Sequence, residues 1–262
     1  MFTIMKKARF IWTILSALLI VSCEKVIDVD LNDGNQQVVI EGFVTKGETV
    51  HTVKITKTLN FDESVAFPTV DNAVVVISDN AGNSETLSLV APGTYKTSNL
   101  LGVEGRTYTI TVSVEGKTYT AQSTMPTEVV LNGLDVIVIP FGLDTIRAVI
   151  PNRIDEAGIA NYYQYDFFVN GEQDKGVYLQ DDQFSDGVQN QQPLFGGELL
   201  PNDTVRVIMY CIDKPVYKYL FSIDANTGST AAPANPDSNF GKSCLGYFSA
   251  RTQKEQSVVI PQ

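Results

Sequence analysis

Few residues in this chain could do chemistry, and Cys23 is the first of them. It follows Ile20-Val21-Ser22 at the end of an apolar stretch, Phe10 to Val21, which is preceded by the cations Lys6, Lys7 and Arg9. A basic start followed by about a dozen apolar residues is an export signal, too short for the ~20 apolar residues that span a bilayer. An aliphatic residue at −3, a small one at −1 and then cysteine form the lipobox pattern. The small side chain fits the lipoprotein peptidase, and the thiol receives a diacylglycerol thioether before cleavage. The sequence therefore predicts a signal over residues 1–22 and lipidation of Cys23; an ordinary signal peptide followed by a chance cysteine is the alternative. At roughly 0.8 kcal/mol per buried CH₂, one acyl chain anchors marginally and two or three hold firmly.

The other reactive side chains are scarce. His51 is the only histidine, so multi-histidine zinc sites are excluded and a Ser-His-Asp triad would have to use it. Its parity with Val53 and Ile55 puts it on the inward rim of a strand, where a packed histidine is expected rather than a catalytic one. Cys211 shares parity with Val205, Val207 and Met209, which predicts burial, and Cys244 follows a long loop. A disulfide between Cys211 and Cys244 would suit an oxidising compartment and add roughly 3–4 kcal/mol on loop-entropy grounds; two free buried thiols are the other reading. Asp181-Asp182-Gln183-Phe184-Ser185-Asp186-Gly187 invites a calcium reading. Aligned on Gly187, however, Phe184 occupies a ligand position and Pro193 stands where the closing Glu belongs, which excludes an EF-hand. An irregular calcium loop or a plain acidic turn is left, the turn being the default, and no metal or other cofactor is predicted. Tyr163, Tyr165 and Phe167 alternate with Tyr162 and Phe168 on one strand, as β-sheet core or, if exposed, as a stacking face. Nothing places two of the 30 acids across a cleft as glycoside hydrolysis requires.

The elements that must position these residues are strands. From Gln36 on, the pattern has period two: Tyr108, Ile110, Val112 and Val114 share one face and Thr107, Thr109, Thr111 and Ser113 the other, before a tight Glu115-Gly116 turn into Lys117–Ser123. Val38–Val44, Val50–Thr56, Ala73–Ser78 and Glu85–Val90 read likewise, with turn residues between them. Residues 36–124 are thus expected to form an Ig-like sandwich. A second β-rich domain, residues 125–262, would hold strands at Leu134–Ile139, Thr145–Ile150, Tyr162–Asn170, Lys175–Gln180, Thr204–Ile212 and Leu245–Ala250. One helix is predicted after Asp213, with Val216, Tyr219, Leu220 and Ile223 on one face. The polar segment 224–243 is long for a compact domain, and such a loop is expected to be either disordered or functional. The fold class is all-β. Removing the signal's three basic residues takes the net charge from −11 to −14, which argues against nucleic acid as a partner. Residues 23–35 form a tether whose Glu24, Asp28, Asp30 and Asp33 suit surface export or a solvated linker.

The lipobox, VVIEGFVT, NAVVVISDNAGN, APGTYKTS and GRTYTITVSVEGKTYTA, followed by VYLQDDQFSDG, LPNDTVRVIMYCIDKPVYKYL and NPDSNFGKSCLGYFSA, together resemble the Bacteroidota lipoprotein family called domain of unknown function 4249. The first half is also similar to the regulatory β-sandwich repeats of carboxypeptidases and TonB-dependent receptors. Cys211 and Cys244 stand outside that pattern. The resemblance carries over no catalytic residues and implies a non-catalytic, outer-membrane, surface-exposed protein working with a TonB-dependent receptor in nutrient uptake. Expected contact residues are Asp181, Asp182 and Asp186 in one turn and Asn235, Asp237, Asn239 and Phe240 in the long loop. A structural or adhesive Ig-like module is the rival, and a carbohydrate-active enzyme a third reading.

Overall fold

Alternating β-branched and polar residues extend the backbone, and the structure, a computed structural model, follows that alternation from Val38 onward. It describes residues 36–59, 66–142, 144–227, 236–242 and 244–262; Cys23, the tether and Asn235 lie outside these. The first half supplies β1 (Val38–Thr45), β2 (Thr52–Lys57), β3 (Val74–Asp79), β4 (Ser84–Thr86), β5 (Ser88–Ala91), β6 (Thr94–Lys96), β7 (Thr107–Val114) and β8 (Lys117–Thr124). One layer runs β4-β3-β7-β8 and the other contains β1-β2-β6-β5. Tyr108, Ile110, Val112 and Val114 of β7 are buried between them, with Ala121 opposite Ile110 and Tyr119 opposite Val112. Glu115 and Gly116 both take positive φ, 52° and 73°, the twist a two-residue hairpin needs. The run Glu85–Val90, expected as one strand, is two. Leu87 is buried in the core and its N–H bonds Val75 O at 2.9 Å. The chain crosses between layers there, so β4 pairs with β3 and β5 with β6.

The second half supplies β9 (Gly133–Phe141), β10 (Asp144–Asn152), β11 (Tyr162–Val169), β12 (Glu172–Gln173), β13 (Tyr178–Asp181), β14 (Thr204–Ile212), the helix α1 (Lys214–Thr227) and β15 (Leu245–Val259). β9 and β10 form a separate antiparallel pair, while β13 and β12 follow one another along the edge of β11 opposite β14. Among the described residues α1 is the one α-helix, and no helix is long and apolar enough to cross a membrane. Asp213 caps it, Oδ1 accepting the Val216 N–H at 3.2 Å. Val216, Tyr219 and Leu220 are buried on the predicted face, with Ile223 packed beside them.

The closing strand is longer than the alternation of Leu245–Ala250 suggests. β15 pairs in parallel with β1, from Val39↔Leu245 to Thr45↔Arg251. It then continues, antiparallel to β14, from Cys211↔Thr252 to Thr204↔Val259. One strand therefore belongs to both halves and joins their sheets. Its distal part, with Lys254 and Glu255, is polar enough to read as a loop. Those side chains instead reach outward to ion partners, Lys254 Nζ to Glu128 Oε1 at 3.0 Å and Glu255 Oε2 to Arg206 Nη1 at 3.1 Å. Two large interiors result, besides the smaller cluster beneath α1. The first includes Phe240, Cys244 and Phe248 from the C-terminal segment; the second is built on Leu134, Val149, Tyr163, Phe167, Val207 and Met209. The architecture is all-β: an Ig-like sandwich followed by a β-rich region with one short helix.

Candidate functional site

The inward parity of Tyr163 and Tyr165 buries two phenols, and buried hydroxyls demand partners. Arg153, which follows β10, meets that demand. Its side chain is fully buried, with the guanidinium 3.6 Å from the Tyr163 ring centroid. Nη1 donates to Asp155 Oδ2 at 3.1 Å, Nε lies 3.1 Å from Tyr165 Oη, and Nη2 lies 3.4 Å from Gln180 Oε1. Tyr163 Oη donates to the same Asp155 oxygen at 2.7 Å, and Tyr165 Oη to Gln180 Oε1 at 2.9 Å. Burial, partly offset by the nearby guanidinium, pushes the Tyr165 phenol up to about 12 and raises that of Tyr163 further. Both hydroxyls stay protonated donors at neutral pH. A buried ion pair costs several kcal/mol of desolvation per ion and persists when its remaining hydrogen bonds are filled; here they are.

This network is the floor beneath two loops, residues 153–161 and 182–192. Asp155 Oδ1 accepts the Gly187 N–H at 3.0 Å, Asp182 Oδ2 the Asn161 N–H at 2.7 Å, and Asp186 Oδ1 the Gly158 N–H at 2.7 Å. The acidic turn is thus stapled to its neighbour by its own carboxylates. Oxygens of Asp155, Asp182 and Asp186 lie within 4.8 Å of one another. Calcium takes six to eight oxygen ligands, and an ion there would compete with Arg153 and three main-chain donors for these carboxylates. The arrangement reads as a loop staple whose carboxylates are engaged by donors from within the chain. Asp181 stands apart from the trio, Oδ1 accepting the Gln183 N–H at 3.2 Å and Oδ2 lying 3.4 Å from Tyr217 Oη. Above the staple Phe184 is 81% exposed, and Ile154, Ile159 and Val188 are about half exposed. Asp182 is itself buried and leaves the expected contact surface, so the firmly held rim offers Asp181 and Asp186 beside open apolar side chains.

The other expected contact loop is different. Asp237 is exposed beside a cavity of about 460 Å³ also lined by Gln37 and Lys242. Phe240, however, is buried in the first core. Asn239 is an internal clip: Nδ2 donates to Phe248 O at 2.7 Å and Gln122 O at 3.2 Å, and Oδ1 accepts the Phe248 N–H at 3.1 Å. Asn239 and Phe240 therefore leave the contact surface, their side chains being used to seat the start of β15. The disulfide reading is also corrected. Cys211 and Cys244 are free, buried thiols in different cores. Cys211 lies opposite Thr252, seven residues beyond Leu245 on the same strand. At about 3.3 Å per residue Thr252 is about 23 Å along the strand from Leu245, the neighbour of Cys244, against the roughly 7 Å limit for Cα atoms of a bridge. Burial raises the thiol of Cys211 and pushes that of Cys244 up to about 12. Tyr163, Tyr165 and Phe167 are core, and His51 is a buried structural residue. Sequence reasoning missed Arg153, Asp155 and Gln180; the one hint was two inward tyrosines whose hydroxyls needed partners.

No curated protein matches the chain significantly. Among solved structures, a two fibronectin type-III domain segment from chicken tenascin aligns over 68% of this chain and 91% of its own length, at 13% identity and a TM-score of 0.22. So low a score carries no argument, and the strand order alone supports the fold. The family comparison is decisive by its extent: the model described as domain of unknown function (DUF4249) matches residues 24–257, and the chain belongs to that family.

Proposed function

We propose that this protein is a lipid-anchored, surface-exposed outer-membrane accessory protein that binds rather than catalyses and works with a TonB-dependent receptor in nutrient uptake. The observation that carries the reading is the run Ile20-Val21-Ser22-Cys23 behind a basic, apolar signal. It supplies the peptidase's small residue and the acyl-accepting thiol at adjacent positions. Support for binding comes from the stapled rim around Phe184 and Asp186: rigid loops lose little entropy on contact, and exposed aromatics are favoured anchors. The acidic body leaves attachment to the lipid rather than to headgroup attraction.

Labelled palmitate and cell fractionation test the anchor. The wild-type protein takes up label and sediments with the envelope, whereas Cys23→Ser takes up none. A wild-type protein without label, or a Cys23→Ser form that is labelled and sediments equally, ends the proposal. For the partner, detergent extracts of the wild type retain an outer-membrane barrel, and Phe184→Ala weakens that retention by tenfold or more, the loss of about 1.4 kcal/mol. A monodisperse protein with no barrel attached would remove the receptor from the account.

A further inference from the structure

The β9–β10 ribbon is packed at its base and bare at its tip. Leu134, Ala148, Val149 and Ile150 are buried, but from Val138 to Phe141 and back from Asp144 to Ile146 every side chain is exposed. The segment 136–146, VIVIPFGLDTI, holds one charged residue in eleven, in a chain that is otherwise strongly acidic. The register shows how the apolar groups are shared out. Ile139 lies opposite Ile146, with Phe141 on the same face, while Val138 and Pro140 occupy the other face opposite Arg147 and Thr145. Arg147, the one cation nearby, reaches back toward Leu199 O at 3.5 Å, away from the turn. Phe141 is 67% exposed and Val138 half exposed. Apolar side chains thus stand on both faces of a projecting two-stranded tip.

We propose that this tip is a membrane-contacting wedge that inserts shallowly into a zwitterionic phospholipid layer. A flat or grooved protein surface would cover one face of the ribbon and leave the other in water; immersion in a lipid interface covers both. The absence of a cation at the tip means that insertion rests on apolar burial, and the acidic body disfavours anionic headgroups. Three residue steps separate Val138 from Phe141 along the exposed tip, about 10 Å at about 3.3 Å each, the upper end of the roughly 5–10 Å depth of interfacial insertion. The ladder's outer edges limit that depth, because unpaired main-chain groups are costly in hydrocarbon. This contact is independent of any acyl group on Cys23.

Residues 36–262, which contain every described strand and all three hydrophobic clusters, provide the test. The only tryptophan of the chain is Trp12, outside this span, so Phe141→Trp installs a single fluorophore at the tip. With phosphatidylcholine vesicles the emission of the Phe141→Trp protein shifts to the blue and is quenched by brominated acyl chains. The paired change Ile139→Ser and Phe141→Ser, with circular dichroism confirming the fold, lowers vesicle partitioning at least tenfold, whereas Phe67→Ser, at an exposed phenylalanine outside the ribbon, leaves it unchanged. Emission that stays at the wavelength of a hydrated indole at every lipid ratio overturns the proposal. So does shielding that requires a second protein, or equal partitioning of the paired serine variant.

Discussion

His51 illustrates at the scale of one residue how a reactive side chain can be committed to structure. Its Nδ1 faces the Thr45 N–H at 3.4 Å and Nε2 lies 2.7 Å from Leu100 O, so the neutral tautomer with the proton on Nε2 satisfies both. Its own N–H bonds Thr97 Oγ1 at 2.7 Å. No lone pair is left for a substrate. Burial holds the imidazole below its ordinary 6.5, with the Leu100 carbonyl opposing. The unfolded chain therefore binds the proton first, and stability present above pH 6.5 is lost as the pH falls through the lowered native value. His51→Gln, which keeps one acceptor and one donor, should flatten this part of the profile. Urea unfolding between pH 7.5 and 5 measures it; equal slopes for both proteins would show that the imidazole does not report the drop. Arg153 makes a parallel case at the candidate site: its charge orients two tyrosines and a carboxylate instead of a ligand.

Among the elements, α1 depends most visibly on a single side chain. Asp213 accepts the Val216 N–H through Oδ1 and the Thr124 N–H through Oδ2 at 3.0 Å, so the cap also ties the helix to the end of β8. Burial raises its carboxyl while Ser123 and these N–H groups pull the other way. Replacing an N-cap aspartate with alanine costs about 1–2 kcal/mol, and Asp213→Ala also strips a partner from Thr124, so the upper end is expected. Asp213→Asn should retain part of the loss, because one acceptor oxygen remains. The midpoint of denaturant unfolding at constant slope reads both. A glycine sets a similar constraint in β15. Gly246 has φ 90°, and a Cβ there would lie 2.0 Å from Ile40 O, so the parallel approach to β1 demands a residue without a side chain.

The molecule as a whole is joined by its last strand. Because β15 completes the β1 sheet with its first half and the β14 sheet with its second, neither half has a full set of strands without it. Removal of residues 245–262 should abolish fixed tertiary structure in both halves, and residues 36–124 alone should fail to fold. The intact protein should melt in one transition, seen together by near-ultraviolet circular dichroism and calorimetry. Two separate transitions, or a folded 36–124 fragment, would mean that the shared strand is dispensable. Such coupling also means that a load on the rim of the second region is carried through continuous main-chain hydrogen bonds to the start of β1.

By itself the sequence determined the local structure and the class of the molecule. Period-two alternation marked most strands to within a few residues, Glu115-Gly116 marked a turn, and Asp213 marked the helix start. Each is decided by neighbours a few positions away. It also singled out the acidic turn at 181–187, because carboxylates and glycine cluster there in the chain. Tertiary structure alone decided what depends on distant partners. The parallel pairing of Val39 with Leu245 links residues more than 200 positions apart, and no periodicity encodes it. The polar end of β15 and the divided β4 and β5 are shaped by neighbouring sheets rather than by propensity. Arg153, in a loop-like run, becomes the centre of the site only when β11 and β13 bring Tyr163, Tyr165 and Gln180 around it. The two cysteines likewise looked bridgeable until the fold placed them in different cores.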